Sequence, residues 1–358
     1  MITEKQFAPL GKLFAESKKI LCIGTHNAYR NFIQPFCLDH KLLPLPYAIY
    51  ESSDKITTSD IYGIPVLDLA EISKEDPYSS LIVIAEEDEP FYITLGKLYD
   101  ELIAYYFPIL PCTSIEAYFF ARKHINEINQ VTNLFMEPKS QILYENYWLS
   151  RIYGVVYNPT LYSKYPYFGN ELIPNLVQDD ILVSGGTYNG KHIERALEMN
   201  PNISAYLFEP NQKYFQQLDK RYGKNNKIKV FNYALYNSNV RVAFDSSDEL
   251  GAKIVSDDFK HNSWVEAVSF DSLNLGKVTL IELDIEGSEV NAIYGMKHTI
   301  QKYNPKLAIC VYHKLTDYLK IPKLILEINP HYSLYFRQHS CYYEESVLYA
   351  ILPEDIKK

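Results

Sequence analysis

The strongest constraint on the fold is an alternation of short apolar runs and amphipathic helices in the second half of the chain. Asp180–Ser184 (DILVS) runs into the glycine-rich Gly185–Gly190 (GGTYNG) and then into helical KHIERALEM. Ala205–Pro210 (AYLFEP) precedes helical NQKYFQQLDKRY, and Lys229–Leu235 (KVFNYAL) is a third strand. A polar segment with strands near Val240–Phe244 and Val265–Phe270 follows. Val278–Gly287 (VTLIELDIEG) then leads into helical EVNAIYGMKHTIQKY, and Lys306–His313 (KLAICVYH) comes next. Tyr332–Arg337 and Ser346–Leu352 are two strands close together at the end of the chain. Parallel strands cannot be joined by a tight hairpin and need a crossover, usually a helix. The rhythm therefore predicts an α/β fold: a doubly wound sheet, mostly parallel, with its final strand reversed.

The first half repeats the pattern more faintly. Apolar runs at Ile20–Gly24, Tyr47–Tyr50, Ile64–Leu69 and Ser80–Ala85 predict a smaller α/β, Rossmann-like domain. A helical stretch is expected from about Tyr92 to Tyr106. At 358 residues the chain has room for two domains, and the expected boundaries are 1–114, a helical connector over 115–165, and 166–358. A lone glycine after Ile20–Ile23 is a weak nucleotide signal, so the first domain either holds a small molecule or docks a partner. A second copy of the chain is one such partner, which makes a homo-oligomer an expectation.

Composition narrows the function classes. The net charge of −9 argues against a nucleic-acid partner held through phosphates. No apolar run is long enough to span a bilayer, and MITEKQFAPLGKLFAESKK lacks a signal-peptide core, so a cytoplasmic protein without an integral membrane segment is expected. The five cysteines are scattered without a C-x-x-C pair, which disfavours a zinc knuckle or a redox motif. The 32 tyrosines suit sugar-like ligands, though compositional drift in an AT-rich genome accounts for them at least as well.

Ligands of such sheets bind outside the carboxyl ends of the strands. Gly185, Gly186 and Gly190 stand at the first strand end, Glu209 at the second, Asn232 and Ala234 at the third. Asp284 and Glu286 stand at the fourth and His313 at the fifth. Glu209 follows the glycines by about twenty residues, the spacing at which an acid holds ribose hydroxyls. GGTYNG lacks the G-x-G-x-x-G that presents a helix N-terminus to a pyrophosphate, and acids at the fourth strand would repel one. A cationic nucleoside cofactor, S-adenosylmethionine, fits better than a dinucleotide. Within VTLIELDIEG the acids recur at every second position, so Glu282, Asp284 and Glu286 are expected on one face of a strand.

From about Met136 onward the chain resembles the FkbM-type S-adenosylmethionine-dependent methyltransferases. The carrying motifs are Tyr167-Phe168, GGTYNG, Phe208–Pro210 (FEP), Asn232–Leu235 (NYAL), Val268–Leu273 (VSFDSL), Leu283–Glu289 (LDIEGSE), Tyr294–Met296 (YGM) and Leu307–His313 (LAICVYH). The resemblance implies a Rossmann-like class I methyltransferase domain with a mostly parallel seven-stranded sheet. It implies O-methylation of a hydroxyl on a sugar, glycan precursor or other small metabolite. Gly185, Gly186, Tyr188 and Gly190 would form the loop on the methionine side, Glu209 would hold the ribose, and Asn232 and Ala234 would border the adenine. Asp284 and Glu286 would face the reacting methyl group.

Two positions depart from the family. Ser184 stands where an acid usually helps bind the cofactor's amino group, and Glu282 stands where a lysine is usual. Ser184 still accepts a hydrogen bond but without charge. That departure supports a second reading, a catalytically impaired relative that binds a sugar, a nucleotide or a partner. Burying an unpaired carboxylate is costly, so Glu282 is expected either to meet a cation such as a nearby lysine or arginine or to reach water at the sheet's end. For catalysis, His313 or Asp284 is expected to take the hydroxyl proton while Glu286 orients the hydroxyl. In a variant of this chemistry Asp284, Glu286 and His313 bind Mg2+ or Mn2+.

Overall fold

The computed structural model describes side chains at residues 117, 120–149, 163–246, 252–255, 263–339 and 345–356. It also describes the backbone of 150–153 and of six short strands before residue 112. The chain divides into two compact units, one of Met1–Ile125 with Trp148–Val155 and one of Asn126–Tyr147 with Val156–Lys358.

In the first unit β1 (Lys19–Ile23), β2 (Pro46–Tyr50), β3 (Asp60–Ile61), β4 (Ile64–Leu67), β5 (Ser80–Ile84) and β6 (Ile109–Pro111) form one sheet in the order β3-β4-β2-β1-β5-β6. All its pairings are parallel except β3 with β4. The helix expected from Tyr92 lies outside the described residues.

Two helices precede the second unit's sheet in sequence: α1 (Ile125–Thr132) and α2 (Pro138–Tyr153). The chain then runs through β7 (Ile181–Gly185), α3 (Lys191–Met199), β8 (Ser204–Phe208), α4 (Gln212–Tyr222) and β9 (Ile228–Phe231). β10 (Ala234–Leu235), β11 (Val240–Asp245), β12 (Lys253–Ile254) and β13 (Ser263–Val268) follow. The last elements are β14 (Leu280–Leu283), α5 (Glu289–Gly295), α6 (Lys297–Tyr303), β15 (Lys306–Cys310), α7 (Asp317–Ile328), β16 (Ser333–Gln338) and β17 (Ser346–Ile351). Seven of these strands form a sheet in the order β16-β17-β15-β14-β7-β8-β9. Only β17 is reversed, running antiparallel to both β15 and β16.

Strands covered on both faces read as continuous apolar runs. Leu182, Val183, Leu280, Ile281, Leu283, Leu307, Ala308 and Ile309 are accordingly buried. Ile193 and Ala196 of α3 and Leu218 and Tyr222 of α4 pack with Leu182, Ala205, Leu207 and Ile228 on one face of the sheet. Burial of each such aliphatic side chain stabilises the fold by about 1.5–3 kcal/mol. Register aligns the carboxyl ends: Gly185 pairs with Phe208 on one side and with Leu283 on the other.

Two details differ from the sequence reading. Lys229–Leu235 is not one strand: β9 ends at Phe231, and β10 leaves to join a separate four-stranded sheet in the order β10-β13-β11-β12. The three acids do not share a strand face either. β14 ends at Leu283, and Glu286 has a left-handed backbone, φ 53, which breaks the alternation.

Candidate active site

A cavity of about 540 Å³ opens over the carboxyl ends of β7, β8 and β14. One end is built from the glycine loop. Gly186 has φ 77, and a Cβ there would stand 1.8 Å from the carbonyl oxygen of Asp284, so only glycine lets the loop lie against the turn after β14. Glu209 braces this end. It is 5% exposed, and its two carboxylate oxygens accept the backbone N–H groups of Tyr188 at 2.7 Å and Asn211 at 2.8 Å. Burial lifts its pKa, and despite the two N–H donors it reaches about 6. Asn211 caps α4 by accepting from the Lys213 N–H.

The other end is a cluster of charge. Asp284 accepts from the hydroxyls of Tyr167 at 2.7 Å and Tyr312 at 3.0 Å. His313, 7% exposed, places Nε2 at 3.3 Å from Asp284 Oδ1 and 3.5 Å from Glu286 Oε2, and Nδ1 at 2.9 Å from Oε1 of buried Glu289. Burial alone would raise the Asp284 pKa. His313 and the two tyrosine hydroxyls outweigh it and hold the carboxyl down to about 2. For His313 burial works the other way, and Asp284, Glu286 and Glu289 outweigh it to push the imidazole up to about 12. Burial, and the neighbouring anions with it, raises the Tyr167 and Tyr312 hydroxyls, which stay protonated donors.

Beneath the loop lies a third group. Glu282 is fully buried, with His192 Nε2 2.8 Å from its Oε1, and the same nitrogen lies 3.0 Å from Ser184 Oγ. The partner expected for Glu282 is a cation such as a lysine or arginine, or water. The structure supplies the cation as a histidine in the first turn of α3. Burial lowers the His192 pKa, but the attraction of Glu282 and then of Asp284 prevails and raises it. This contact is an ion pair without an aligned hydrogen bond to either Glu282 oxygen. Register explains it, because Glu282 pairs directly with Ser184 across β14 and β7.

Of the residues singled out from sequence, Gly186, Tyr188, Glu209, Ala234, Asp284 and Glu286 line the cavity. Gly185 packs against Leu283 and Leu235, and Gly190 is the N-cap of α3 with φ 75. Ser184 is buried below the loop, engaged with Thr187 and His192. His313 reaches the cavity only through Asp284 and Glu286. Asn232 lines a neighbouring cavity of about 330 Å³, and its amide donates to the carbonyls of Glu209 and Pro210. Sequence reasoning missed Tyr167, Tyr312, Glu289 and His192. The first three sit inside motifs it had marked, beside the residues it chose. Nothing local points to His192, because its role depends on the register of β7 with β14.

The sheet order with its reversed strand, and the glycine loop after the first strand, give the second unit a Rossmann-like α/β architecture. Residues 185–338 match the sequence profile of the Methyltransferase FkbM domain, so this part of the second unit carries a domain of that type. No curated protein sequence matches the chain. In fold it is similar to the crystal structure of Methyltransferase FkbM from Methylobacillus flagellatus KT. That likeness has 18% identity and a TM-score of 0.65, and covers 96% of this chain and 93% of that one. The fibrillarin pre-rRNA processing protein of Methanococcus jannaschii overlaps 49% of this chain and 67% of its own, at 12% identity and a TM-score of 0.33. An rRNA methylase from Streptococcus thermophilus overlaps 51% of this chain and 92% of its own, at 10% identity and a TM-score of 0.34.

Proposed function

We propose that this domain uses S-adenosylmethionine to methylate a hydroxyl of a sugar, glycan precursor or other small metabolite. The observation that carries the reading is one cavity lined by both Glu209 and the Asp284–Glu286 pair. Glu209 suits a ribose: its oxygens, already fixed by two backbone N–H groups, keep lone pairs for two hydroxyls. The carboxylates at the far end suit a sulfonium and an ammonium group. S-adenosylmethionine, when bound, supplies an electrophilic methyl carbon.

The residues then position and deprotonate the acceptor. The hydroxyl oxygen must approach in line with the S–CH3 bond, so holding it is most of the task. With the cofactor bound there, the acceptor oxygen would take its methyl group while sulfur kept the bonding pair, so the hydroxyl proton would need a base among these residues. Three carboxylates around His313 favour its protonated form, and His313 with two tyrosine hydroxyls holds Asp284 low, so this reading assigns the proton to Glu286 in place of the His313 or Asp284 expected from sequence. Glu286 lines the cavity and takes the proton, while Asp284, locked by Tyr167 and Tyr312, orients the hydroxyl. Mg2+ belongs to this reading as an auxiliary ion at the same end of the cavity. No described helix is long and apolar enough to cross a membrane, and we assign the reaction to the cytoplasm.

A second reading is a catalytically impaired relative that binds a sugar, a nucleotide or a partner. It is favoured by Ser184, which is uncharged and turned to His192 and Thr187. Thermal shift of the full chain with S-adenosylmethionine, S-adenosylhomocysteine and NAD separates the readings, since a ligand of the folded state raises the melting temperature. The first requires a shift with both adenosyl compounds and, with a panel of nucleotide sugars, methyl transfer to one of them. A shift with NAD alone, or with none, would remove it.

A further inference from the structure

We infer that Asp284, Glu286 and His313 form a site for one hard divalent cation, Mg2+ or Mn2+. The inference rests on the methyltransferase reading of the cavity and adds the group that activates the acceptor hydroxyl. The three side chains come from the turn after β14 and from just beyond β15, and each offers one ligand atom within 4.8 Å of the others. His313 Nε2 lies 3.3 Å from Asp284 Oδ1 and 3.5 Å from Glu286 Oε2. Those separations are long for hydrogen bonds. They are close to the spacing of neighbouring ligands around one ion: donors about 2.1 Å from Mg2+ at right angles stand about 3 Å apart.

The histidine is the independent observation. Its side chain is 7% exposed, yet neither ring nitrogen has an aligned hydrogen bond. A buried polar nitrogen without a partner needs an explanation. Here Nε2 is aimed between two carboxylates, and Nδ1 stands 2.9 Å from Oε1 of Glu289. A cation would displace the proton that the carboxylates otherwise hold on Nε2. A metal-bound histidine gives its second N–H to just such a carboxylate, which fixes the tautomer and leaves Nε2 to ligate. Asp284 has its outer shell too, in the hydroxyls of Tyr167 and Tyr312. Glu286 reaches the cluster through a left-handed backbone, φ 53, a strained conformation for glutamate that brings its carboxylate to the histidine.

The donor set selects the ion class. Two carboxylates and one imidazole, without a thiolate, suit Mg2+ or Mn2+ better than Zn2+. Cys310 is buried with its Sγ 3.8 Å from the Tyr167 hydroxyl and contributes no ligand here. Asp284 and Glu286 line the cavity, so the remaining coordination positions face the space where an acceptor hydroxyl would stand. A dication at that point would make the hydroxyl a stronger acid and a better nucleophile toward methyl carbon.

The test is Mn2+ binding to the full chain, followed by the loss of the free-ion electron paramagnetic resonance signal, with Mg2+ as competitor. One site per chain is expected. Asp284→Asn and His313→Gln should abolish it, and Glu289→Gln should weaken it by about ten- to a hundred-fold. Should the His313 or Glu289 variant fail to fold by near-ultraviolet circular dichroism, Glu286→Gln, at a partly exposed side chain, replaces it and must likewise lose the ion. No loss of free Mn2+ signal at millimolar protein and metal, or binding unchanged in Asp284→Asn and Glu286→Gln, would overturn the site. A thermal shift with S-adenosylhomocysteine in EDTA, run in parallel, reports the methyltransferase reading separately. A shift there without Mn2+ binding sinks only the metal site, and Mn2+ binding without a shift sinks only the cofactor assignment.

Discussion

Glu209 shows how one buried carboxyl couples stability to ligand binding. Its folded pKa of about 6 lies above the usual glutamate value of about 4.3, so folding favours the protonated form. The sign follows: its burial costs nothing below the unfolded value. The cost grows as pH rises to about 6 and levels near 2 kcal/mol above that, at 1.36 kcal/mol per pKa unit. In the proposed cofactor complex the ionised carboxylate accepts from two ribose hydroxyls, and protonation turns one of its oxygens into a donor and weakens that match. Affinity for S-adenosylhomocysteine should therefore fall as pH drops through about 6, measured by calorimetry from pH 8 to 5. Glu209→Gln should bind at least tenfold more weakly at pH 8 and lose that pH dependence. Gly186→Ala should be worse still, because its Cβ collides with the Asp284 carbonyl at 1.8 Å. Cofactor binding is expected to be lost in that variant while near-ultraviolet spectra report a folded sheet. Both residues were legible in the sequence because each sits at a strand end where local pattern fixes its place. The partner of Glu282 was not, because a carboxylate in the middle of a strand meets whatever the neighbouring strand's helix delivers. That is His192, eight residues beyond Ser184.

The strands and helices were readable wherever one apolar run mapped to one element. β7, β8, β14 and β15 fall where the alternation puts them, and the final pair is antiparallel as its short connection requires. The reading fails at Asn232, where the apolar run continues but the sheet does not. The Asn232 amide holds the carbonyls of Glu209 and Pro210, and β10 turns away to pair with β13. Hydrophobicity records that a segment is buried, not which sheet buries it. Helix junctions show a similar dependence on distant backbone. Gly295 ends α5, and a Cβ there would lie 1.9 Å from the carbonyl oxygen of Tyr236. Gly295→Ala forces that junction apart, and overpacking of this kind costs about 1–3 kcal/mol. Chemical denaturation should show a lower midpoint with an unchanged slope.

Beyond any single element, the second unit is tied together by one guanidinium that no sequence pattern reveals. Arg337 of β16 is 2% exposed and reaches four partners, three of them distant in the chain. Its Nη2 stands 2.5 Å from Glu137, its Nε donates to Glu171 at 2.6 Å, and its Nη1 donates to Ser140 at 2.9 Å and to the Phe336 carbonyl at 2.8 Å. Ser140 belongs to α2 and in turn accepts the backbone N–H of Phe336, so helix and edge strand are stitched from both sides. Glu171 would be raised by burial, but Lys139, Ser163 and Arg337 outweigh it and hold the carboxyl down to about 2. Its stabilising contribution is therefore complete above the normal glutamate range and is lost as pH falls towards 2. Arg337→Met keeps the apolar stem and removes the charged fork. Glu137 and Glu171 are partly exposed, at 33% and 43%, so water reaches the carboxylates left behind and the loss is smaller than for a fully buried pair. The expected cost is that of hydrogen bonds to a charged group, about 2–3 kcal/mol at pH 7. It should shrink towards pH 2, where wild type also loses the Glu171 carboxylate. A urea series on both proteins at pH 7 and pH 3 checks this. An equal difference at the two pH values would show that Arg337 acts by packing alone. A gap that narrows on acidification would locate its effect in the ion pairs that join β16 to α2.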